Sequence, residues 1–289
     1  MVGCVLLLIG IRQFAGEMVI IIHKMRITSR DNEKLKFARR VRDGKERDFI
    51  FAEGSRLCGE TLASGINVEY CFVSDVFHGS GVFELPEHVD TFFVSESLLD
   101  SIADTRTPQG IVLIAKRPAS AEISKVLSRY GEIPIWLYLY EINNPSNLGA
   151  VIRTAEAAGA SGIFSSKRSA DAFSPKSLRA SMGSAFRLPI VEQCDFEITA
   201  ECARENKIRL FAVDAKGNTS HTKADWSRPT LLIFGSEAKG LPHDLIDSAD
   251  ETIKVEMNGT VESLNLAVSC GVILFEARRR LSVAEARTK

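Results

Sequence analysis

From Ile135 to the C-terminus, short apolar runs alternate with helix-patterned segments, and nothing else in the chain constrains its fold as strongly. The apolar runs span 135–140, 162–165, 188–191, 208–213, 231–234 and 252–255; helical patterning falls near 148–158, 175–182, 196–206, 241–248 and 264–280. Runs this short and continuous fit strands buried on both faces, and strands separated by helices cross over to lie parallel. The pattern predicts an α/β domain over 134–289 with a parallel sheet covered on both sides. Ligands of such sheets sit at the carboxyl ends of the strands, where loops lead into helices.

A smaller α/β region precedes it. Strand-like runs at 49–51, 68–73, 92–94 and 111–115 alternate with helix-like segments at 55–64 and 97–103, after an amphipathic helix marked by Leu35, Phe37, Ala38 and Val41. The 289 residues agree with two domains of ordinary size. The boundaries expected are 25–116 for the smaller domain and 117–133 for a polar linker with a short helix. Residues 5–9 and 18–22 are apolar, but Arg12, Gln13 and Glu17 separate them. Neither run approaches the ~18–20 residues of a membrane span. The first charge follows the apolar run, whereas a signal peptide opens with it. Residues 1–24 are therefore expected to lie outside the folded domains, as an over-extended start before Met25, with a short membrane anchor as the alternative.

The six cysteines are scattered and form no C-x-x-C pair, which argues against a zinc ribbon or a disulfide scaffold and fits a reducing cytoplasm, with no metal. With 36 Lys and Arg against 37 Asp and Glu, the chain is not an obvious polyanion binder. Its charge is segregated, however. Between Lys24 and Arg47 ten basic residues face four acids, while Glu69 to Asp104 holds eight acids and no Lys or Arg. Arg26, Arg30, Arg39 and Arg40 thus form a candidate phosphate-facing stripe, with a plain solvated helix as the alternative. A second basic segment holds Lys167, Arg168, Lys176, Arg179 and Arg187, opposed within it only by Asp171.

Three strand-to-helix loops carry the candidate chemistry. In the first, Pro145 and the surrounding Asn and Ser residues force a turn; Ser146 or Asn147 can cap the next helix, Gly149 permits close backbone approach, and Arg153 is left to face a ligand. In the second, Gly235 and Gly240 have phosphate-loop spacing, but Leu241-Pro242 stand where Lys-Ser/Thr are required, so the loop is no Walker A and instead displays Glu237. In the third, Ser263 and Asn265 stand where a mostly apolar, deeply packed helix begins. The absence of a strand-linked G-x-G-x-x-G argues against a Rossmann-type nucleotide enzyme.

In order, NPSNLGAVIRTA, FGSEAKGLP and VEMNGTVESLNLAVSCGVILFEARRR resemble motifs 1, 2 and 3 of the SpoU (TrmH-type) RNA 2′-O-ribose methyltransferases of the SPOUT superfamily. Asn144 stands where Asp-Pro is common and Ala238 where Gly usually follows the motif-2 glutamate; both keep the spacing. The 26–116 region is similar, more loosely, to the ribosomal-protein-like substrate-binding domain of rRNA-type members. The resemblance implies a deep trefoil knot, a homodimer formed through it, and S-adenosylmethionine bound in a pocket lined by Gly235, Val255 and Leu264, with Phe234 and Met257 beside them. It implies a catalytic group of Arg153, Asn147, Glu237, Ser263 and Asn265, in which Glu237 orients Arg153 or takes a proton. A guanidinium stays protonated in proteins, so Arg153 is expected to grip phosphate rather than act as a base. The implied substrate is RNA, ribosomal RNA first, because the 2′-hydroxyl distinguishes it from DNA. A tRNA substrate, an antibiotic-resistance role, or a non-catalytic ribosome-binding factor of the same fold are the alternatives.

Overall fold

The computed structural model describes residues 4–6, 25–80, 85–128, 133–261 and 263–288, which divide into two compact units, 1–118 and 119–289. In the first unit the elements are β1 (Cys4–Leu6), β2 (Met25–Ile27), α1 (Glu33–Arg42), β3 (Phe49–Glu53), α2 (Ser55–Ala63), β4 (Val68–Ser74), α3 (Asp75–Gly79), β5 (Thr91–Val94), α4 (Glu96–Asp100) and β6 (Ile111–Lys116). The strands form one mixed sheet in the order β1-β2-β5-β4-β6-β3. Its core gathers Leu35, Ala38 and Val41 of α1 against Phe51, Tyr70, Phe72 and Phe92. The expectation that 1–24 stay outside the fold fails for Cys4–Leu6, which pairs antiparallel with Met25–Ile27; the rest of that stretch lies outside the described residues.

The basic helix α1 serves this unit internally. Arg39 donates to the Arg30 carbonyl and to Ser101 Oγ, and Arg42 donates to the carbonyls of Ile102 and Ala103. Arg40 pairs with Glu46, and Arg26 with Asp75. Distant acids and carbonyls thus take up charge that a linear sequence leaves open.

The carboxylate of Glu53, only 5% exposed, stitches the unit's far end together. Its Oε2 accepts from the backbone N–H of Asp104 at 2.7 Å and of Thr105 at 3.2 Å, and its Oε1 accepts from the Thr105 hydroxyl. Removing a buried acceptor strands its donors, at about 1–3 kcal/mol per group. Glu53→Ala is predicted to destabilise the first unit by about 3 kcal/mol in urea unfolding; a loss below about 1 kcal/mol would show that water satisfies those donors.

The second unit continues with α5 (Ile123–Leu127), β7 (Ile135–Leu139), α6 (Pro145–Ala157), β8 (Gly162–Ser166), α7 (Pro175–Ser181), β9 (Ile190–Cys194), α8 (Phe196–Glu205), β10 (Arg209–Val213), β11 (Thr219–Ser220), β12 (Thr230–Phe234), α9 (His243–Asp247), β13 (Glu251–Lys254) and α10 (Leu266–Thr288). All seven strands run parallel, in the order β11-β13-β10-β12-β7-β8-β9. The central strands are buried on both faces as expected, with β7, β8 and β12 wholly enclosed, whereas β9 and β13 stand partly open. The expected linker belongs largely to this unit: Val126 and Leu127 of α5 join its core, and the Val126 carbonyl accepts from Trp136 Nε1 at 3.1 Å.

Helix α6 starts earlier than its apolar pattern suggests. Asn144 is its N-cap, accepting from the Ser146 N–H at 2.9 Å, with Pro145 in the first turn. The cap is thus Asn144 rather than Ser146 or Asn147, because a proline needs no partner there. A Cβ on Gly149 would sit 2.4 Å from the Ser177 carbonyl oxygen, so the close approach this glycine permits is to α7. Helix α10 is not packed all round. Cys270, Ile273, Leu274 and Ala277 are buried, whereas Val268, Val272 and Phe275 are 51%, 37% and 54% exposed.

Candidate active site

At the carboxyl edge of the second sheet, the loops leaving β7, β10, β12 and β13 enclose a cavity of about 560 Å³. This is the edge where strands of a parallel sheet present their loops to ligands.

The loop after β12 is shaped by backbone crossing. The Ser236 carbonyl accepts from the Gly240 N–H at 2.8 Å, and Ser236 Oγ accepts from the Lys239 N–H at 3.2 Å. Gly240 has φ +64°, in the left-handed region. A Cβ on Gly235 would lie 2.2 Å from the Gly240 carbonyl carbon and 2.5 Å from the Leu241 nitrogen, so no side chain fits.

Three side chains, from the first turn of α6, the loop after β12 and the start of α10, meet in sequence. Glu237 Oε1 accepts from Asn147 Nδ2 at 2.5 Å, and Asn147 Oδ1 accepts from Asn265 Nδ2 at 3.4 Å. Asn265 also caps α10, its Oδ1 accepting from the Ala267 N–H at 2.9 Å. The cap is therefore Asn265, and Ser263 is left to line the cavity. Residues 118 positions apart are locked into one polar rim.

Of the residues singled out in the sequence, Asn147, Glu237, Ser263, Asn265, Phe234, Gly235, Val255, Met257 and Leu264 all line this cavity. Arg153 does not. It is exposed on α6 and has no hydrogen bond or ion pair among the described residues, so Glu237 orients Asn147 instead. Cavity residues that sequence reasoning missed include Asp214, Ser236 and Ser269. Asp214 had a usable signal, standing at the carboxyl end of a predicted strand in a loop outside the three considered. Burial in α10 pushes the Cys270 thiol up, as suits a packing residue rather than a nucleophile.

The second basic segment is more neutral in space than in sequence. Arg168 pairs with Glu141, Arg187 with Glu156, and Lys167 approaches Asp195 at 3.9 Å. Lys176 stays exposed, and Arg179 is half-buried.

Comparison with known proteins agrees with this geometry. Residues 134–275 match the SpoU rRNA Methylase family, and residues 32–113 match the MRM3-like substrate binding domain. An uncharacterized tRNA/rRNA methyltransferase of Synechocystis is 30% identical over 88% of this chain and 93% of its own length. The 23S rRNA (guanosine(2553)-2′-O)-methyltransferase RlmP of Bacillus subtilis is 28% identical over 87% of this chain and 98% of its own. The crystal structure of an AdoMet-bound rRNA methyltransferase from Sinorhizobium meliloti superposes with a TM-score of 0.77 and 29% identity, covering 89% of this chain and 98% of that one. With the three motif loops folded around one cavity and a relative aligned along nearly its whole length, the chain belongs to the SpoU rRNA methylase family.

Proposed function

We propose that the protein transfers a methyl group from S-adenosylmethionine to a ribose 2′-hydroxyl of ribosomal RNA. The observation that carries this reading is the meeting of Asn147, Glu237, Ser263 and Asn265 with Gly235, Val255 and Leu264 at one cavity. The cavity's volume falls within the roughly 300–1,000 Å³ of small-molecule sites. Val255, Met257 and Leu264 offer apolar walls for adenine, and the backbone at Phe234 and Gly235 offers its hydrogen-bonding groups. When bound, the cofactor supplies a methyl group activated by a sulfonium. The protein's own task is to position a weakly acidic hydroxyl and take its proton. Asn147 occupies Glu237 Oε1, which leaves Oε2 to accept that proton directly or through one water. Ser263 and Asn265 hold the ribose, and Arg153 grips the adjoining phosphate.

The names of the B. subtilis and S. meliloti relatives, both rRNA methyltransferases, favour ribosomal RNA, and that of the Synechocystis relative, a tRNA/rRNA methyltransferase, keeps tRNA as the comparator. Incubation with methyl-labelled S-adenosylmethionine and either ribosomal RNA, tRNA or DNA is expected to label ribosomal RNA. Label confined to tRNA would overturn the substrate, and none in either RNA would overturn the reaction.

Two further features belong to the same reading. The chain beyond β13 threads a loop to form a trefoil knot; the support is that β13 lies inside the sheet, between β10 and β11, with the loop before α9 and the segment after β13 sharing the cavity. Two copies associate through Val268, Val272 and Phe275, a stripe at helical spacing on α10. Thr154 of α6 lies 3.3 Å from where a Cβ on Gly271 of α10 would stand, so α6, the helix that carries Arg153, packs beside the stripe. An exposed arginine outside its own cavity is then used where two copies meet. Val268→Asp with Phe275→Asp is predicted to convert a dimer to a monomer in sedimentation and to lower transfer at least about tenfold. A monomeric wild-type protein would contradict the dimer.

A further inference from the structure

The charge of the cavity wall has a consequence for the cofactor's two forms. The lining contains two carboxylates, Asp214 and Glu237, and no Lys, Arg or His. Glu237 gives Oε1 to Asn147, and its Oε2 is the proton acceptor proposed above. Asp214 follows β10, and its main chain is fully used: its N–H donates to the Ile253 carbonyl at 3.0 Å and its carbonyl accepts from the Gly217 N–H at 3.0 Å. Its Oδ1 accepts from the Lys216 N–H at 2.7 Å, which fixes the carboxylate in a tight turn. Oδ2 lies 3.9 Å from where a Cβ on Gly240 would stand, so it faces the glycine loop of the cavity.

Methyl transfer changes the cofactor's charge at one atom. The carbon–sulfur bond breaks with its electron pair staying on sulfur, the carbon–oxygen bond forms, and the hydroxyl loses its proton. A sulfonium cation becomes a neutral thioether, while the adenosine and amino-acid portions are unchanged. A fixed carboxylate nearby stabilises the first and not the second.

We propose that Asp214 is a specificity-determining residue that makes the cavity prefer the sulfonium cofactor over its thioether product, favouring product departure after each transfer. This rests on the cofactor assignment above. It makes the negative wall a device for turnover as well as binding.

Calorimetric titration of the full-length protein with S-adenosylmethionine and S-adenosylhomocysteine tests it. The wild type is expected to bind the sulfonium about tenfold more tightly, as one charge pair in a half-exposed cavity implies. Asp214→Asn should weaken the sulfonium compound about tenfold and the thioether less than about twofold. Raising the salt concentration with the unaltered protein should shrink the preference, a readout that needs no variant to fold. Equal weakening of both ligands by Asp214→Asn would overturn the proposal, because Asp214 would then hold a part they share; so would an unchanged ratio. Failure of the wild type to bind either ligand would overturn the cofactor assignment itself.

Discussion

Arg153→Ala is expected to lower methyl transfer by about 10²–10³-fold while leaving S-adenosylmethionine affinity within about twofold of wild type. The split follows from position. The cavity wall contains no atom of Arg153, so cofactor binding does not depend on it. The side chain is exposed and unpaired among the described residues, on the same helix as Asn147 and less than two turns beyond it. A surface arginine of purely solvating role would lose less than about twofold on truncation, since isolated surface charges contribute little. Arg153→Lys separates charge from shape. Lysine keeps the cation but loses the planar fork, so an intermediate rate indicates bidentate phosphate contact and near-wild-type turnover excludes it.

Gly235→Ala is expected to act oppositely, abolishing cofactor binding before any effect on RNA is seen. The three atoms nearest to the added carbon are all backbone, at 2.2, 2.3 and 2.5 Å, and backbone held by the Ser236–Gly240 hydrogen bond does not yield as a side-chain tip does. Relieving such contacts moves the loop that forms one cavity wall. A strain of about 3 kcal/mol corresponds to a loss of affinity of roughly a hundredfold or more. Calorimetric titration reads that loss, and circular dichroism confirms that the sheet persists. Unchanged affinity would mean that the loop opens without disturbing the site.

The strands of the second unit were legible because enclosed parallel strands are predominantly apolar, as Ile135–Leu139 and the 231–234 run are. Strand β9 was expected at 188–191 and is found at Ile190–Cys194. It ends the sheet, so Glu192 and Gln193 stand partly open to solvent and break the apolar run. Strands of two or three residues, such as Thr219–Ser220 and Met25–Ile27, carry no period to read. The bare stripe on α10 escaped for the opposite reason: a helix apolar on nearly every side does not announce which side lacks a neighbour.

The site was legible where a loop needed unusual residues. Gly235 exists because backbone crosses it, Gly240 because its φ is positive, and the Asn-Pro-Ser-Asn turn because Asn144 and Pro145 open α6; the two glycines and Asn147 line the cavity. The pairing of Glu237 with Asn147 was not legible, since it depends on which loops become neighbours in space. The internal contacts of the basic helix were not legible for the same reason. The partners of Arg39 and Arg42 at 101–103 lie some sixty residues away, so a run of charge in one dimension became internal bracing in three.

The most direct test is to digest RNA methylated by the purified protein to nucleosides and locate the label. The account predicts radioactivity in a 2′-O-methylnucleoside, and its loss with Arg153→Ala. Label on a base, or transfer undiminished without Arg153, would contradict it.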